Sequence, residues 1–255
     1  WDFENDTLAS FLLEHYGIDE ALTPDIVENF TNQSTVNKKG ALETGLPIGA
    51  TVNYRAGDQP NNALSLNVFN HGEVAATGGT SGVIYAVTNA LKSKESSRIN
   101  NFAHVNYTKE KPVLGKLMCI NGSGIQYRWL KDNMAAKSYE EMNIKAGEVP
   151  VGSEGLCVIP FGNGAERILN NKNIGTHYCN INFNKHNDAH MYRAALEGIA
   201  FSFVYGMDIL KNDNAIVNVI RAGNDNLFRS EIFSNTVATL IGYEIEIYNT
   251  TGAVG

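Results

Sequence analysis

Long apolar runs are missing from this 255-residue chain. With them goes any segment able to cross a bilayer as a helix, which needs about 20 consecutive apolar residues. No basic start followed by an apolar stretch marks a secretory leader. Positive charge is also short. Twenty Lys and Arg stand against 27 Asp and Glu, a net charge of −7, which argues against a nucleic-acid binder because phosphate neutralisation requires a basic face. Cysteine is scarce as well: Cys119, Cys157 and Cys179 form no CxxC pair, so neither a disulfide framework nor a zinc site is indicated. Cys119 and Cys157 fall in apolar strand-like runs and read as reduced core residues. Asn29-Phe30-Thr31 and Asn121-Gly122-Ser123 match N-x-S/T, as expected by chance in an Asn-rich chain. The reading is a soluble cytoplasmic protein. Trp1-Asp2-Phe3-Glu4 lacks a start methionine, and Thr251-Gly252-Ala253-Val254-Gly255 stops where a small-residue helix is about to begin, so the chain reads as a piece of a longer protein.

What is present is 43% apolar content, enough for a large core in one domain or two. Helical spacing runs from Thr7 to His15, with Asn5 or Asp6 as cap and Gly17 as stop, and again from Asn37 to Thr44. Thr51 to Ala56 reads as a strand delivering Asp58 to its carboxyl end, and Pro60 suits the first turn of a following helix. Glu73–Thr77 and Val83–Val87 are predicted strands, His104–Tyr107 and Leu114–Ile120 a hairpin, and Ile125 to Asn133 a helix. Leu156–Phe161 is a buried strand. Asp188 to Leu210 is the longest helix, striped by Met191, Leu196, Ile199, Phe203 and Ile209. Ala215–Ile220, Leu227–Ile241 and Glu244–Ile247 then give strand, helix, strand. The pattern is mixed α/β, with no internal repeat.

Ala56-Gly57-Asp58-Gln59, a short helix and then Gly78-Gly79-Thr80-Ser81-Gly82 carry the most chemistry. A carboxylate at a strand end can take the proton of an alcohol, and a small-residue turn lets backbone N–H groups approach anionic oxygens. Taken alone, Asp58 reads as the cap of the helix beginning at Gln59, and the glycine string as a hairpin turn; their spacing favours catalysis and phosphate binding. Gly57, Asp58, Ala63, Gly79, Thr80, Ser81 and Gly82 resemble the FGGY sugar-kinase family, most closely its xylulokinase branch. His190-Met191-Tyr192-Arg193-Ala194-Ala195-Leu196-Glu197 is similar to the family's C-terminal signature. There Arg193 and Glu197 form an i,i+4 pair on a helix packed beneath the nucleotide site. His186 and His190 have helix-borne metal spacing, but no third ligand is evident and no metal-ligating side chain is assigned.

The resemblance extends to Val219-Ile220-Arg221-Ala222-Gly223-Asn224-Asp225-Asn226-Leu227-Phe228-Arg229, similar to the adenosine-binding turn, with Arg221 and Ala222 where the family has glycines. Asn226 is predicted to cap the next helix. A plain αβ connection is the alternative. Pro160-Phe161-Gly162-Asn163-Gly164-Ala165-Glu166-Arg167 falls where that branch has a wall of the nucleotide cleft, its Glu-Arg pair shifted by one residue. Asn121-Gly122-Ser123-Gly124 either lines the same cleft or caps a helix.

What the resemblance implies is an α/β chain of ribonuclease H-like, actin-like ATPase fold with two lobes. Residues 1–79 would be the tail of the first, sugar-binding domain, and 80–255 the second, nucleotide-binding one. The expected activity is ATP-dependent phosphorylation of a ketose hydroxyl, D-xylulose to D-xylulose 5-phosphate. Asp58 would be the catalytic base and contact sugar together with Gln59. Gly79, Thr80 and Ser81 would steady phosphates, Gly223 and Asn224 would hold adenosine, and Mg²⁺ would bridge phosphate oxygens. Other sugars and polyols (glycerol, gluconate, fuculose, rhamnulose) and a non-catalytic actin-like nucleotide-binding module stay open. Sugar and ATP are the expected partners, with a homodimer allowed and neither nucleic acid nor membrane expected. Lacking half the first domain and its phosphate loop, the chain alone is expected to be inactive.

Overall fold

Val74, Ala75 and Ala76, with the all-buried run from Gly82 to Thr88, make two strands with no solvent face, and such strands occupy the centre of a sheet. In the computed structural model, which describes residues 1–250, they are β3 (Glu73–Gly78) and β4 (Gly82–Thr88). Before them come α1 (Ser10–Tyr16), β1 (Ser34–Thr35), α2 (Lys38–Thr44), β2 (Thr51–Val52) and α3 (Asp58–Ser65). After them come β5 (Asn100–Ala103), β6 (Leu114–Ile120), α4 (Ser123–Asn133), α5 (Tyr139–Gly147), β7 (Cys157–Phe161), β8 (Gly175–Cys179), α6 (Asp188–Asn212), β9 (Val219–Gly223), α7 (Glu231–Ile241) and β10 (Ile245–Tyr248).

Six strands form one mixed sheet in the order β10-β9-β3-β4-β6-β5. β10, β9 and β3 are parallel; β3, β4, β6 and β5 are antiparallel. β1–β2 and β7–β8 are separate two-stranded pairs. One sheet face, with Val74, Ile84, Met118, Ile120, Ile220 and Ala222, packs on α6 and α7. The other, with Ala75, Val83, Tyr85 and Leu117, packs on Ala63 and Leu66 of α3 and the turn after it. Helices on both faces thus cover a sheet hydrophobic on both sides. Among the described residues no helix is long and apolar enough to cross a membrane.

Several boundaries differ from the sequence reading, each for a physical reason. α1 starts at Ser10, after Ala9, with no side-chain cap; Asp6 is occupied instead by the Tyr107 hydroxyl (2.9 Å) and Lys109. The expected strand from Thr51 to Ala56 shrinks to two residues, because beyond Val52 the backbone bonds to a loop: Phe30 N–H to the Asn53 carbonyl, Arg55 N–H to Asn29 Oδ1. The strand expected at His104–Tyr107 lies four residues earlier. His104 is buried between the Tyr85 hydroxyl and the Val68 carbonyl, and the chain turns there. β9 starts at Val219, not Ala215, because its partner β3 starts at Glu73. A 3₁₀ turn (226–229) interrupts the helix expected from Leu227, and Ser230, not Asn226, caps α7. α5 and β8 were not expected. The helix anticipated at the 251–255 exit lies outside the described residues.

Two buried polar groups fix the geometry of this frame. Lys116 on β6 and Asp213, just past α6, form a fully buried ion pair at 2.6 Å. Burial pushes the Asp213 carboxyl up, but Lys116 and the Glu95 and Lys94 N–H groups hold it below its ordinary value. Removing one partner strands the other charge in the core. Asp213→Ala is expected to cost about 3–5 kcal/mol, and the paired replacement Lys116→Met with Asp213→Leu distinctly less; urea unfolding of both checks this, and equal costs would refute the ion-pair account.

His104 Nε2 donates to the Val68 carbonyl at 2.9 Å, so Nδ1 accepts from the Tyr85 hydroxyl and the ring is neutral. Burial pushes this imidazole down to about 4, against the pull of the Val68 contact. As pH falls below about 6.5 the unfolded chain binds this proton first, so stability drops between pH 6.5 and 4. We expect a loss of about 2 kcal/mol by pH 5, measured by urea unfolding across that window; a flat profile there would contradict it.

Candidate functional site

Gly78 and Gly82 are paired across the β3–β4 hairpin, leaving Gly79, Thr80 and Ser81 as its tip. That tip is held from behind by the start of α4. Gly124 N–H donates to the Gly79 carbonyl (3.0 Å), Ile125 N–H to the Thr80 carbonyl (3.2 Å), and Ser123 Oγ accepts from Gly82 N–H (2.9 Å). Ser81 Oγ donates to Asn121 Oδ1 at 3.3 Å. The Gly79 and Thr80 carbonyls are thus taken by the helix, and the N–H groups of Gly79, Thr80 and Ser81 have no acceptor among the described residues. Residue 124 must be glycine for this approach: a Cβ there would sit 2.5 Å from the Gly79 carbonyl oxygen. A small-residue turn with several N–H groups left without an acceptor can bind an anion.

Beside the tip opens a cavity of about 1100 Å³, bounded by Gly78–Thr80, α4, α5 and the segment from Asp225 to Ile232. That is ample for a nucleotide-sized ligand, for which sites run about 300–1,000 Å³. Part of the lining is apolar and aromatic, with Ile125, Ile144 and Ile232 beside Tyr127 and Tyr139. Those two rings stack at 5.9 Å and 18°, and the Tyr127 hydroxyl donates to Asn143 Oδ1 at 2.9 Å. Arg128 and Arg229 balance Asp225, Glu140 and Glu231 along the lining; burial raises the Asp225 carboxyl above its ordinary value. The α5 wall was missed in the sequence although Ser138 and Glu141 carry a capping-box spacing, and Ser138 Oγ indeed accepts the Glu141 N–H.

Gly223 and Asn224 do not themselves line this cavity. A Cβ on Gly223 would come within 2.7 Å of the Thr250 carbonyl, and Asn224 N–H donates to the Tyr248 carbonyl at 2.7 Å. The two residues hold β9 against β10, and the chain enters the lining at Asp225. Arg221, where the resembled motif has glycine, points to the opposite sheet face. It pairs with Glu246 (2.8 Å) and Glu73 (3.2 Å) and donates to the Asn67 carbonyl, so it stays out of the cavity.

Asp58 opens α3. Its helix α3 runs back against β3, with Asn62 Nδ2 donating to Thr77 Oγ1 at 2.9 Å. Asp58 is one turn beyond Asn62, about 6 Å along the axis, and so stands at the glycine end of β3. It is exposed. Gly57 occupies the N-cap position, while Asp58 Oδ1 accepts the Gln59 N–H at 2.8 Å. The carboxylate is therefore both steadied by the helix start and open to a ligand. Gln59 leans its amide toward Asp58 (3.4 Å) and keeps a buried Oε1 with no partner. Asp58 is not part of the large cavity's lining.

The other motifs serve the frame. Pro160, Gly162 and Asn163 wall an adjoining cavity of about 520 Å³ across α4, not the large one, and Arg167 bonds to Asn100. Arg193 and Glu197 pair at 2.7 Å inside the core, where Glu197 also accepts from Gly152 N–H and Ser153 Oγ. His190 contacts Glu154 and closes a capping box with Asn187. Among the described residues no group of three His, Cys, Asp or Glu could hold a metal.

Comparison with known proteins accounts for this arrangement. Residues 74–255 match the model of the FGGY family of carbohydrate kinases, C-terminal domain. The xylulose kinase of Staphylococcus xylosus is 23% identical, over 92% of this chain and 50% of its own length. The gluconokinase of Bacillus subtilis is 25% identical, over 97% of this chain and 48% of its own. The glycerol kinase of Plasmodium falciparum, solved with ADP, superposes with a TM-score of 0.85 at 19% identity, covering 99% of this chain and 50% of that one. The chain thus spans about half the length of the relatives it matches, and shares the ribonuclease H-like, actin-like ATPase fold of these kinases. It belongs to the FGGY family of carbohydrate kinases.

Proposed function

We propose that this chain supplies the nucleotide cleft and the catalytic base of an ATP-dependent kinase that phosphorylates a ketose, with D-xylulose the favoured acceptor and D-xylulose 5-phosphate the product. One observation carries the reading: the Gly79–Thr80 tip, whose N–H groups have no acceptor among the described residues, lines a nucleotide-sized cavity, and an exposed carboxylate opens the helix that packs on the strand leading to that tip. Phosphoryl transfer needs a base on the acceptor side and the nucleotide on the other. Asp58 accepts the hydroxyl proton and Gln59 contacts a neighbouring sugar hydroxyl through its amide. Gly79, Thr80 and Ser81 steady the terminal phosphates. Adenosine lies toward Tyr127, Ile144 and Ile232, and Gly223 with Asn224 supports the turn that leads into that wall.

The donor set suits Mg²⁺ only as an ion carried by phosphate oxygens, since the described residues form no ligand cluster of their own. When bound it would neutralise phosphate charge. We place the division between the sugar-binding and nucleotide-binding domains at 79/80, so that their closure shuts water away from the transferring group. The Staphylococcus xylosus relative supports xylulose; the Bacillus subtilis gluconokinase keeps gluconate as the second reading. An ADP-release assay of the whole enzyme against ketoses, gluconate and glycerol decides between them.

Asp58→Asn in the whole enzyme should lower kcat by about 10²–10⁴ while leaving the nucleotide Kd near its parent value. Turnover at the parent rate would remove Asp58 from catalysis. In this chain alone, Gly124→Ala should push the tip away from α4 and weaken ADP binding by at least about tenfold, near 1.4 kcal/mol. Isothermal titration reads that change, and an unaltered Kd would dissociate the tip from nucleotide binding.

A further inference from the structure

Cys157 opens β7 and Cys179 ends β8, and the two are direct Cα partners at the open end of this antiparallel pair. Directly opposed residues in such a pair have Cα atoms about 4.5–5.5 Å apart and side chains on the same face. Disulfides form across Cα separations of about 4.4–6.8 Å, so no backbone movement is required. The neighbouring pair, Val158 and Tyr178, turns inward onto α6 with Ala194 and Met191. The cysteines therefore take the other face, shared with half-buried Ile159 and exposed His177. Both thiols are free and half-buried, within reach of a small solute. Burial, with Cys179 as the next cause, raises the Cys157 thiol above its ordinary value. Cys119 has no such partner: it sits on β6 opposite Val83.

We propose that Cys157 and Cys179 form a dithiol site that small-molecule disulfides oxidise to an intramolecular bridge. One thiolate attacks a sulfur of the small disulfide, forming a mixed disulfide and expelling one small thiolate. The second cysteine thiolate then attacks the protein sulfur of that intermediate, the Cys157–Cys179 bond forms, and the second small thiolate leaves. The protein is oxidised by two electrons, the small disulfide is reduced to two thiols, and the two cysteine protons end on them. The bridge would staple the open end of a hairpin whose Thr176 and Tyr178 hydrogen-bond to Gln126 on α4.

The test uses the 255-residue chain treated with oxidised glutathione, alkylated in urea and mapped by non-reducing peptide mass spectrometry. The parent should lose two alkylatable thiols, gain a 157–179 cross-linked peptide lighter by two hydrogens, and melt several degrees higher. Cys119→Ser should still form the bridge. Cys157→Ser and Cys179→Ser should stop at the glutathione adduct. Three alkylatable thiols after treatment, or a bridge that includes Cys119, would overturn the proposal. The Cys119→Ser variant and the parent map decide the matter even if a strand variant folds poorly.

Discussion

Two backbone hydrogen bonds, from Gly124 and Ile125 to the carbonyls of Gly79 and Thr80, decide which way the β3–β4 tip faces. A free hairpin tip could present carbonyls or amides. Here the first turn of α4, whose N–H groups have no partner within their own helix, takes the Gly79 and Thr80 carbonyls and leaves the tip amides without an acceptor among the described residues. The same contact fixes the floor of the large cavity, because Gly78–Thr80 and Gly124–Ile125 are both part of its lining. Polarity of the cradle and shape of the cleft are therefore one constraint.

That constraint would be soft if the sheet and α4 could shift relative to each other. α6 prevents it. Its buried face crosses under β3, β4 and β6 and carries Phe203, which meets Phe228 and Phe233 edge-on at 6.2 and 5.3 Å beneath the 225–232 wall. Its C-terminal end is clamped by the Lys116–Asp213 pair, which also gathers Ser93 and the Glu95 backbone. Nearer its start, Arg193–Glu197 pins the Gly152–Ser153 turn. Buried ion pairs contribute little net stability compared with apolar packing, but breaking one is costly. Such pairs therefore fix register at both ends of the longest helix.

How much of this was legible in the chain follows from where the information is local. β3, β4, β6, α6 and the α2 helix were readable because hydrophobic periodicity is a short-range signal. The boundaries that slipped depend on distant partners. β5 stops where His104 finds Tyr85 and Val68, β9 starts where β3 does, and residues 53–55 bond to a loop at 29–30. At the site, Asp58 and Gly79-Thr80-Ser81 were marked by spacing along the chain. The α5 wall with Tyr139, Asn143 and Ile144 was not, because its contribution to the cavity exists only once α5 packs on α6.

Arg221 departs from the resembled motif without entering the cavity lining. Side chains alternate across a strand, so residue 221 faces the side of the sheet opposite Ile220 and Ala222, which sit in the α6–α7 core. A long cation there meets Glu73 and Glu246 on the two neighbouring strands and joins β3, β9 and β10 across their parallel ladders. Where glycine would leave that face bare, arginine ties the three strands whose carboxyl ends support the tip and the 225 turn. What the turn itself demands is absence of a side chain at Gly223, where the Thr250 carbonyl comes within 2.7 Å of a would-be Cβ. The requirement for glycine thus falls on the residue where another backbone makes contact, and the position two residues earlier is free to strengthen the sheet instead.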